Sequence, residues 1–176
     1  MEKLHGMTQI YTGNGKDKTT AAFGLAVQAA GRGQKVVIIQ FMKMGRWYGE
    51  IEGFRHIPNV EIYSYGGGKF RKKGDASDEE HLAYARAAMD KAYETMGDDS
   101  VDILILDELN NAVYFELVTE DEALALMAAR PEHQELIITG RNATERMIDA
   151  ADLVTEMREI KHPYQKGIQA RQGIEY

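Results

Sequence analysis

Short β-branched runs alternate along the chain with longer stretches in which apolar residues recur at helical spacing. The runs predict six strands. Two of these, residues 35–41 and 101–106, are apolar at almost every position, which is typical of strands buried on both faces of a parallel sheet. The other predicted strands are residues 7–11, 60–64, 135–139 and 153–157. We expect the last one to be an edge strand with alternating exposure.

Four helices are predicted between these strands. The first, residues 21–31, is rich in alanine and ends at a glycine, which favours a helix with a C-cap. The pairs expected to cap the other three are Ser77 with Glu80, Thr119 with Glu122, and Asn142 with Glu145. On the second helix, the predicted apolar stripe is Leu82, Ala85, Met89, Ala92 and Met96. Residues 42–57 are predicted as a surface loop with a short helix.

A glycine loop, Y-T-G-N-G-K-D-K-T-T at residues 11–20, joins the first strand to the first helix. Small residues let backbone N–H groups turn toward phosphate oxygens. Lys18 then meets the negative charge, and the hydroxyl of Thr19 can bind Mg²⁺. The pattern predicts a phosphate-binding loop formed by Thr12, Gly13, Asn14, Gly15, Lys16, Asp17, Lys18, Thr19 and Thr20. The alternative is a glycine-rich turn without a ligand.

Asp17 departs from the usual spacing G-x-x-x-x-G-K-[ST], which places a glycine before the lysine and another at Thr12. A carboxylate ~4 Å from a phosphate oxygen would cost ~4 kcal/mol at an effective dielectric near 20. That is about a thousandfold in affinity. Positive φ at a non-glycine residue would cost about 1 kcal/mol more. Asp17 avoids the repulsion if it turns outward, pairs with Lys16 or reaches Mg²⁺.

An acidic pair, Asp107 and Glu108, ends the apolar strand at residues 101–106. Sheets of α/β proteins bind ligands at the carboxyl ends of their strands, where a carboxylate can hold Mg²⁺ directly or through water. We therefore expect the pair to meet the glycine loop, although a strand can also end in acidic turn residues without a ligand. The whole pattern predicts an α/β fold in a single domain over residues 1–176: a P-loop NTPase-like (RecA-like), mainly parallel sheet flanked by helices.

Composition excludes several other kinds of site. The chain has no cysteine, which rules out disulfides, zinc–thiolate sites, iron–sulfur clusters and thiol nucleophiles. A net charge of −7 argues against a general nucleic-acid or anionic-membrane surface, although it leaves room for a local basic patch. No stretch approaches the ~18 apolar residues of a membrane span, and no signal-peptide pattern is present. We therefore expect a cytoplasmic protein without nucleic-acid or membrane partners.

Several stretches, in order from about residue 9 to residue 176, resemble ATP:corrinoid adenosyltransferases of the P-loop type. These enzymes are also called cob(I)yrinic acid a,c-diamide or cob(I)alamin adenosyltransferases. The stretches are T-G-N-G-K-D-K-T-T-A-A-F-G-L-A, A-G-R-G, V-V-I-I-Q-F-M-K, L-I-L-D-E-L-N, A-R-P-E-H-Q-E-L-I-I-T-G-R and the ending I-K-H-P-Y…G-I-E-Y. The loop and the acidic strand alone fit many ATPases, whereas their combination with this ending is more specific.

The resemblance implies that Co(I) of a reduced corrinoid attacks the 5′-carbon of ATP and displaces triphosphate, in coenzyme B12 formation or salvage. It implies that residues 13–20 hold the triphosphate, with Lys18 and Glu108 most directly involved in the reaction. Thr19 and Glu108 would bind Mg²⁺ or Mn²⁺, with Asp107 beside them. Weaker candidates for the nucleotide end of the site are Arg141, Lys161 and His162, and a histidine before proline is also typical of a plain loop residue. A homodimer and a flavodoxin-type reductant are implied as well.

Two departures from the family pattern bear on activity. The family usually has glycine at the position of Asp17. Its flap after the third strand usually carries Gly-Phe-x-Trp, whose aromatic rings displace the lower axial ligand of the corrinoid. Residues 67–70 read G-G-K-F, so Phe70 is the candidate for the tryptophan position and the first aromatic is missing. The positive charge that Lys69 adds to the flap would help to hold an acidic corrinoid precursor or a nucleotide tail. Two alternatives stay open: a non-catalytic corrinoid- or nucleotide-binding relative, and a P-loop ATPase that acts as a switch on a protein partner.

Overall fold

The computed structural model describes residues 5–43, 48–67 and 79–174. The strands in these ranges are β1 (Thr8–Thr12), β2 (Val36–Phe41), β3 (Val60–Tyr65), β4 (Ile103–Asp107), β5 (Glu135–Thr139) and β6 (Leu153–Glu156). They form one sheet in the order β3-β2-β4-β5-β1-β6. Every neighbouring pair is parallel, which confirms the predicted α/β fold. Strand β5 separates β1 from β4, so the glycine loop and the acidic pair follow strands that are not neighbours.

The helices are α1 (Lys18–Ala30), α2 (Gly49–Phe54), α3 (Glu79–Met96), α4 (Leu109–Tyr114), α5 (Glu120–Ala128) and α6 (Glu145–Ala150), and a 3₁₀ turn at Pro163–Lys166 follows β6. The predicted short helix within residues 42–57 is present as α2. Helix α1 begins at Lys18 rather than at residue 21, and α4 was not expected from the sequence. In the described ranges, no helix has the length and apolar character needed to cross a membrane.

Two apolar clusters cover the two faces of the sheet. Alternate residues of β2 contribute to each, with Ile39 in one cluster and Ile38 in the other. Every residue of β2 is buried, as its continuous apolar run predicts. On one face, α1 packs closely because Ala22 and Ala26 are small and fully buried. Helices α3 to α5 supply much of the other cluster. The clusters hold the sheet rigidly, so the carboxyl ends of its strands form a fixed platform.

The predicted cap of α6 is wrong. The N-cap is Thr144, whose side chain accepts a hydrogen bond from the Met147 N–H at 3.3 Å. Asn142 instead has a positive φ of 58°. The next backbone N–H, that of Ala143, donates to the Thr12 side chain at 3.2 Å, so the chain is still tied to β1 before the helix begins. The capping box of Thr119 with Glu122 is confirmed, and Ser77 lies outside the described residues.

Two expectations about exposure are also wrong. On α3, four members of the predicted stripe are buried, but Leu82 is exposed and His81 is buried in the first turn instead. On β6, all four residues are exposed, so the expected alternation of exposure is absent. Strand β6 lies at one edge of the sheet and, among the described strands, pairs with β1 alone, as an edge strand should. Its position was therefore predicted correctly and its burial was not.

Candidate active site

A cavity of about 720 Å³ lies at the carboxyl end of the sheet, where the glycine loop meets the end of β4. Its size suits a small-molecule ligand. Among the predicted site residues, those that line it are Asn14, Gly15, Lys16, Asp17, Lys18, Thr19, Thr20, Glu108, Arg141 and His162. Thr12, Gly13 and Asp107 lie behind this lining, Lys161 is outside it, and Phe70 falls outside the described residues.

Lys18 closes the glycine loop from within. Its side chain is buried, and Nζ donates a hydrogen bond to the backbone carbonyl of Gly15 at 2.6 Å. Burial lowers the pKa of Lys18, and the positive charge of Arg141 lowers it further, while Glu108 and Asp17 act in the opposite direction. Burial and the nearby charge of Arg141 both disfavour the charged form of Lys18. An anion bound beside Lys18 and Arg141 would therefore be stabilised by the two positive charges.

The chain that follows β6 packs against the back of the loop. The Gly15 N–H donates to the Met157 carbonyl at 2.7 Å, and the Asn14 side chain accepts from the Glu159 N–H at 2.9 Å. A Cβ atom added at Gly13 or Gly15 would lie 2.4 or 2.8 Å from the Met157 carbonyl oxygen. The loop therefore needs glycine at both positions because another stretch of backbone presses on it.

Asp17 adopts one of the three arrangements that avoid repulsion of a phosphate, because it pairs with Lys16. Its side chain is exposed, and its Oδ1 accepts a hydrogen bond from Lys16 Nζ at 2.5 Å. Its φ is 83°, so the residue carries the backbone cost expected for a non-glycine residue, about 1 kcal/mol. The paired carboxylate lies at the cavity surface with its charge partly balanced by Lys16.

Asp107 is the best-connected side chain in the site. It is fully buried and accepts four hydrogen bonds. Oδ1 accepts from the hydroxyls of Thr19 and Thr139, both at 2.7 Å. Oδ2 accepts from Lys43 Nζ at 2.7 Å and from Gln40 Nε2 at 3.1 Å. The carboxylate therefore joins the start of α1 to the ends of three neighbouring strands.

Glu108 follows directly and faces the cavity. Its φ of 68° is left-handed, its backbone N–H donates to Thr139 Oγ1 at 3.0 Å, and its carboxylate accepts from the Asn111 side chain. Burial raises the pKa of Glu108, and the neighbouring charge of Asp107 raises it further, against the opposing effect of Lys43 and other nearby cations. Two adjacent carboxylates thus lie at the end of β4, and nearby cations offset part of their negative charge.

The donors at this end of the cavity suit a hard divalent cation. A threonine hydroxyl and two carboxylates, from Thr19, Asp107 and Glu108, are oxygen ligands of the type that Mg²⁺ and Mn²⁺ prefer. In the parts of the chain that the structure describes, no group of three or more His, Cys, Asp or Glu side chains is arranged to hold a metal. Magnesium sites commonly combine one or two carboxylates with substrate phosphates, and the residues present fit that type.

His162 is a cavity residue that also has a local role. Its Nδ1 accepts a hydrogen bond from the Tyr164 N–H at 3.1 Å and caps the 3₁₀ turn that follows. His162 can therefore be a loop residue with a satisfied hydrogen bond and also contact a ligand in the cavity.

Three residues that contact Asp107 were missed from the sequence: Lys43, Gln40 and Thr139. Gln40 is a fully buried polar residue near the end of an otherwise apolar strand, and that position was the available signal. Thr139 ends β5 in the same way. Lys43 follows β2 in a segment that looked like a plain loop, so its type and position gave little indication of a buried contact.

The chain is similar to known proteins over nearly its full length. A family model described as ATP:corrinoid adenosyltransferase BtuR/CobO/CobP matches residues 4–176. The corrinoid adenosyltransferase of Pseudomonas aeruginosa is 38% identical over 171 residues, which cover 97% of this chain and 84% of that protein. Corrinoid adenosyltransferase CobA of Salmonella typhimurium is 35% identical over 176 residues, 99% and 88% of the two chains. A corrinoid adenosyltransferase of Escherichia coli K12 is 36% identical over 172 residues, 97% and 86% of the two chains.

Among solved structures, the fold is similar to that of EssC (ATPases 2 and 3) from Geobacillus thermodenitrificans, with a TM-score of 0.50 and 13% identity. The match covers 96% of this chain and 35% of that one, so the chain spans about a third of the EssC structure. At this identity the likeness concerns the fold alone, and it agrees with a P-loop NTPase-like sheet.

Proposed function

Since the chain belongs to the ATP:corrinoid adenosyltransferase family, we propose that the cavity beside Lys18 is where this enzyme adenosylates its corrinoid in B12 formation or salvage. The reaction moves the 5′-deoxyadenosyl group of ATP to Co(I) of a reduced corrinoid and releases triphosphate. The proposed location of the reaction rests on one observation. The glycine loop contacts the end of the acidic strand, where Thr19 Oγ1 lies 2.7 Å from Asp107 Oδ1. A phosphate-binding loop and a metal-binding carboxylate pair are then parts of one site.

Binding of the leaving triphosphate is the main task of the chain in this proposal. Residues 13–20 supply backbone N–H groups, and the first turn of α1 adds the positive end of a helix dipole. Lys18 and Arg141 add two positive charges, and burial followed by the charge of Arg141 lowers the pKa of Lys18. Charge that develops on the triphosphate as the carbon–oxygen bond breaks would be stabilised by groups already in place.

Thr19 and Glu108 would hold a Mg²⁺ or Mn²⁺ ion, and Asp107 would orient the Thr19 hydroxyl. When bound, the ion would neutralise charge on the phosphate oxygens. The position of Glu108 in the cavity lining and the contact of Thr19 with Asp107 at 2.7 Å support this role. The attack of Co(I) on carbon needs no proton transfer, so Lys18 and Glu108 act by charge and position rather than as acid and base.

The proposal has four further parts. We propose one domain over residues 1–176, since all six described strands share one sheet. We propose a homodimer, for which the exposed Leu153 and Val154 of β6 offer an apolar surface. The chain has no cysteine to carry electrons, which supports an external, flavodoxin-type donor for the reduction of Co(II). A cytoplasmic location, and contact of Phe70 with the corrinoid in place of the family's tryptophan, complete the proposal.

Product analysis by ³¹P NMR tests the proposed function. With reduced cobalamin and Mg-ATP, the wild-type protein should release intact triphosphate in step with adenosylated corrinoid. Lys18→Met should reduce the rate at least tenfold, since each tenfold corresponds to about 1.4 kcal/mol of lost transition-state stabilisation. Lys166→Met, in the exposed 3₁₀ turn outside the cavity lining, is the control and should behave as wild type.

The alternatives give different products. An ATPase switch would release inorganic phosphate and ADP without corrinoid, and a non-catalytic relative would bind without releasing either product. Normal rates of transfer in Lys18→Met would contradict the placement of the triphosphate.

A further inference from the structure

Lys43 is a charged residue at the site to which the reaction assigns no task. It follows β2, and its Nζ lies 2.7 Å from Asp107 Oδ2. The lysine side chain is 14% exposed and the aspartate is fully buried, so this ion pair is almost completely removed from water. The ring of Tyr48 lies 5.3 Å from the same ammonium. A buried lysine is normally present only where a buried negative charge needs a partner.

The surroundings of Lys43 suit a positive charge. Its ammonium donates a hydrogen bond to Asp107 Oδ2, and the cavity that it lines also contains the carboxylates of Glu50 and Glu108. In this structure Lys43 is therefore the cation that balances the buried charge of Asp107.

The ammonium of Lys43 and a divalent metal ion cannot both bind beside Asp107 without rearrangement. Asp107 Oδ2 is already occupied by Lys43 and Gln40, and Oδ1 by two hydroxyl groups. A divalent ion placed at Thr19 and Glu108 would lie in the same cavity as the ammonium of Lys43, and the two positive charges would repel each other. The ion would bind well only if Lys43 gained another anionic partner.

ATP would provide that partner, because Lys43 lines the same cavity as Lys18 and Thr19. We propose that Lys43 takes the place of the divalent cation in the nucleotide-free enzyme and turns to the triphosphate when metal and ATP enter together. The inference rests on the proposed function for the metal position. Its consequence is that metal alone binds weakly, so the carboxylate pair is not occupied by a metal before the nucleotide arrives.

Lys18 does not fit this role, although it lies in the same cavity. Its Nζ donates to a backbone carbonyl in the glycine loop, whereas Lys43 is bonded directly to the Asp107 carboxylate. The two lysines thus have different partners: Lys18 bonds to the backbone of the glycine loop, and Lys43 balances the charge of Asp107.

Binding of Mn²⁺, followed through the EPR signal of the free ion, tests the proposal without measuring catalysis. Wild-type protein should bind Mn²⁺ at least tenfold more weakly without ATP than with it. Lys43→Met removes the charge but keeps an unbranched side chain, and it should bind Mn²⁺ alone at least tenfold more tightly than wild type. Lys43→Arg keeps the charge and should resemble wild type.

Lys91→Met is the matched control. Lys91 also has a carboxylate partner, Glu94 at 2.9 Å, and lies 4.5 Å from the ring centre of Tyr63, but it does not line the cavity. Its loss should leave Mn²⁺ binding unchanged. Lys43→Gln, which keeps a hydrogen-bond donor for Asp107, replaces Lys43→Met if circular dichroism shows that the methionine variant does not fold.

The outcomes separate this inference from the proposed function. Mn²⁺ affinity without ATP that is unchanged or lower in the neutral Lys43 variants overturns the inference, even if every variant binds Mn²⁺ with ATP. An equal gain in Lys91→Met also overturns it. If Mn²⁺ fails to bind any of the proteins with ATP, the metal position in the proposed function is wrong and the inference fails with it. If triphosphate transfer fails while the Mn²⁺ pattern is as expected, only the proposed function is wrong.

Discussion

The hydroxyl of Thr19 donates a hydrogen bond of 2.7 Å to Oδ1 of Asp107, and these two residues are 88 positions apart in the chain. The bond joins the first turn of α1 to the end of β4. Thr139, at the end of β5, donates to the same oxygen, because β5 lies between β1 and β4 in the sheet. The strand order thus places two hydroxyl groups, one from α1 and one from β5, on a single buried carboxylate.

Removing the Thr19 hydroxyl should weaken the enzyme. Thr19→Ala loses a hydrogen bond to a charged group, a contribution of roughly 1.5–3 kcal/mol, so we expect the kcat/KM for Mg-ATP to fall about ten- to a hundredfold. Thr19→Ser keeps a hydroxyl and should stay within a few-fold of wild type. Steady-state kinetics at saturating reduced corrinoid measures both. Equal kinetics in the two variants would show that the hydroxyl has no part in the reaction.

Replacing Asp17 by glycine should increase stability and ATP affinity only modestly. The positive φ of Asp17 costs about 1 kcal/mol, which glycine relieves in part. Because the carboxylate is exposed and paired with Lys16, its repulsion of a phosphate should be close to the value in water, about 1 kcal/mol, or about fivefold in the Kd for Mg-ATP. Urea unfolding and calorimetric titration measure the two effects.

Two matched variants separate backbone strain from charge at Asp17. Glu116→Gly, at another exposed residue with a positive φ of 60°, should change stability without affecting ATP binding. Asp17→Asn should reproduce the gain in affinity. A gain approaching a thousandfold in Asp17→Gly would mean that the carboxylate faces the phosphates.

A methyl group at Gly15 should disturb the glycine loop. Its Cβ would lie 2.8 Å from the Met157 carbonyl oxygen, and neither backbone segment can yield easily. We expect Gly15→Ala to lower the free energy of unfolding by about 1–3 kcal/mol and to weaken ATP binding. Gly24→Ala, on α1 with no atom within 4 Å of the added group, should instead stabilise the protein by up to about 1 kcal/mol. Urea unfolding of both variants checks this, and equal effects would contradict the close packing at Gly15.

Acid should remove the contribution of Glu122 to stability. The backbone N–H of Thr119 and then the side chain of Arg86 lower the pKa of Glu122 from 4.5 to about 2 in the folded protein. A lowered carboxyl pKa stabilises the fold above the unfolded-state pKa, and this stabilisation is lost as pH falls from about 5 to about 2. The stability difference between wild type and Glu122→Gln should therefore shrink over that range. Since the pair is partly exposed, it should not exceed about 1 kcal/mol at neutral pH.

Arg86→Met serves as the second comparison in that pH series. It removes the ion pair but keeps the hydrogen bond from Thr119, so its pH dependence should lie between those of wild type and Glu122→Gln. A difference between wild type and Glu122→Gln that stays constant from pH 7 to pH 2 would contradict the lowered pKa.

Features that depend on neighbouring residues could be predicted from the sequence. The glycine loop, the acidic end of β4 and the apolar run of β2 each reflect a local pattern, and the structure contains all three. Lys16 and Asp17 are adjacent in sequence, so their pairing could also be anticipated. The parallel sheet followed from the alternation of strands and helices, although the pattern did not specify the order of the strands.

Features that depend on strand order or on distant contacts could not be predicted. Lys43 reaches Asp107 only because β2 and β4 are neighbours, and the two residues are 64 positions apart. The start of α6 was misplaced because Thr12, far away in sequence, holds the Ala143 N–H. Helix α4 is short and rich in asparagine, and the Asn110 side chain is fixed by the Gly140 carbonyl at 3.0 Å, a tertiary contact that overrides a weak helix propensity.

The visible spectrum of chemically reduced cobalamin, mixed with Mg-ATP and this protein and recorded before and after exposure to light, tests the central claim most directly. We expect an adenosylated, light-sensitive spectrum to form with wild-type protein and to form much more slowly with Lys18→Met. A spectrum that does not change when ATP and wild-type protein are added would contradict the claim that this cavity transfers the adenosyl group of ATP to a corrinoid.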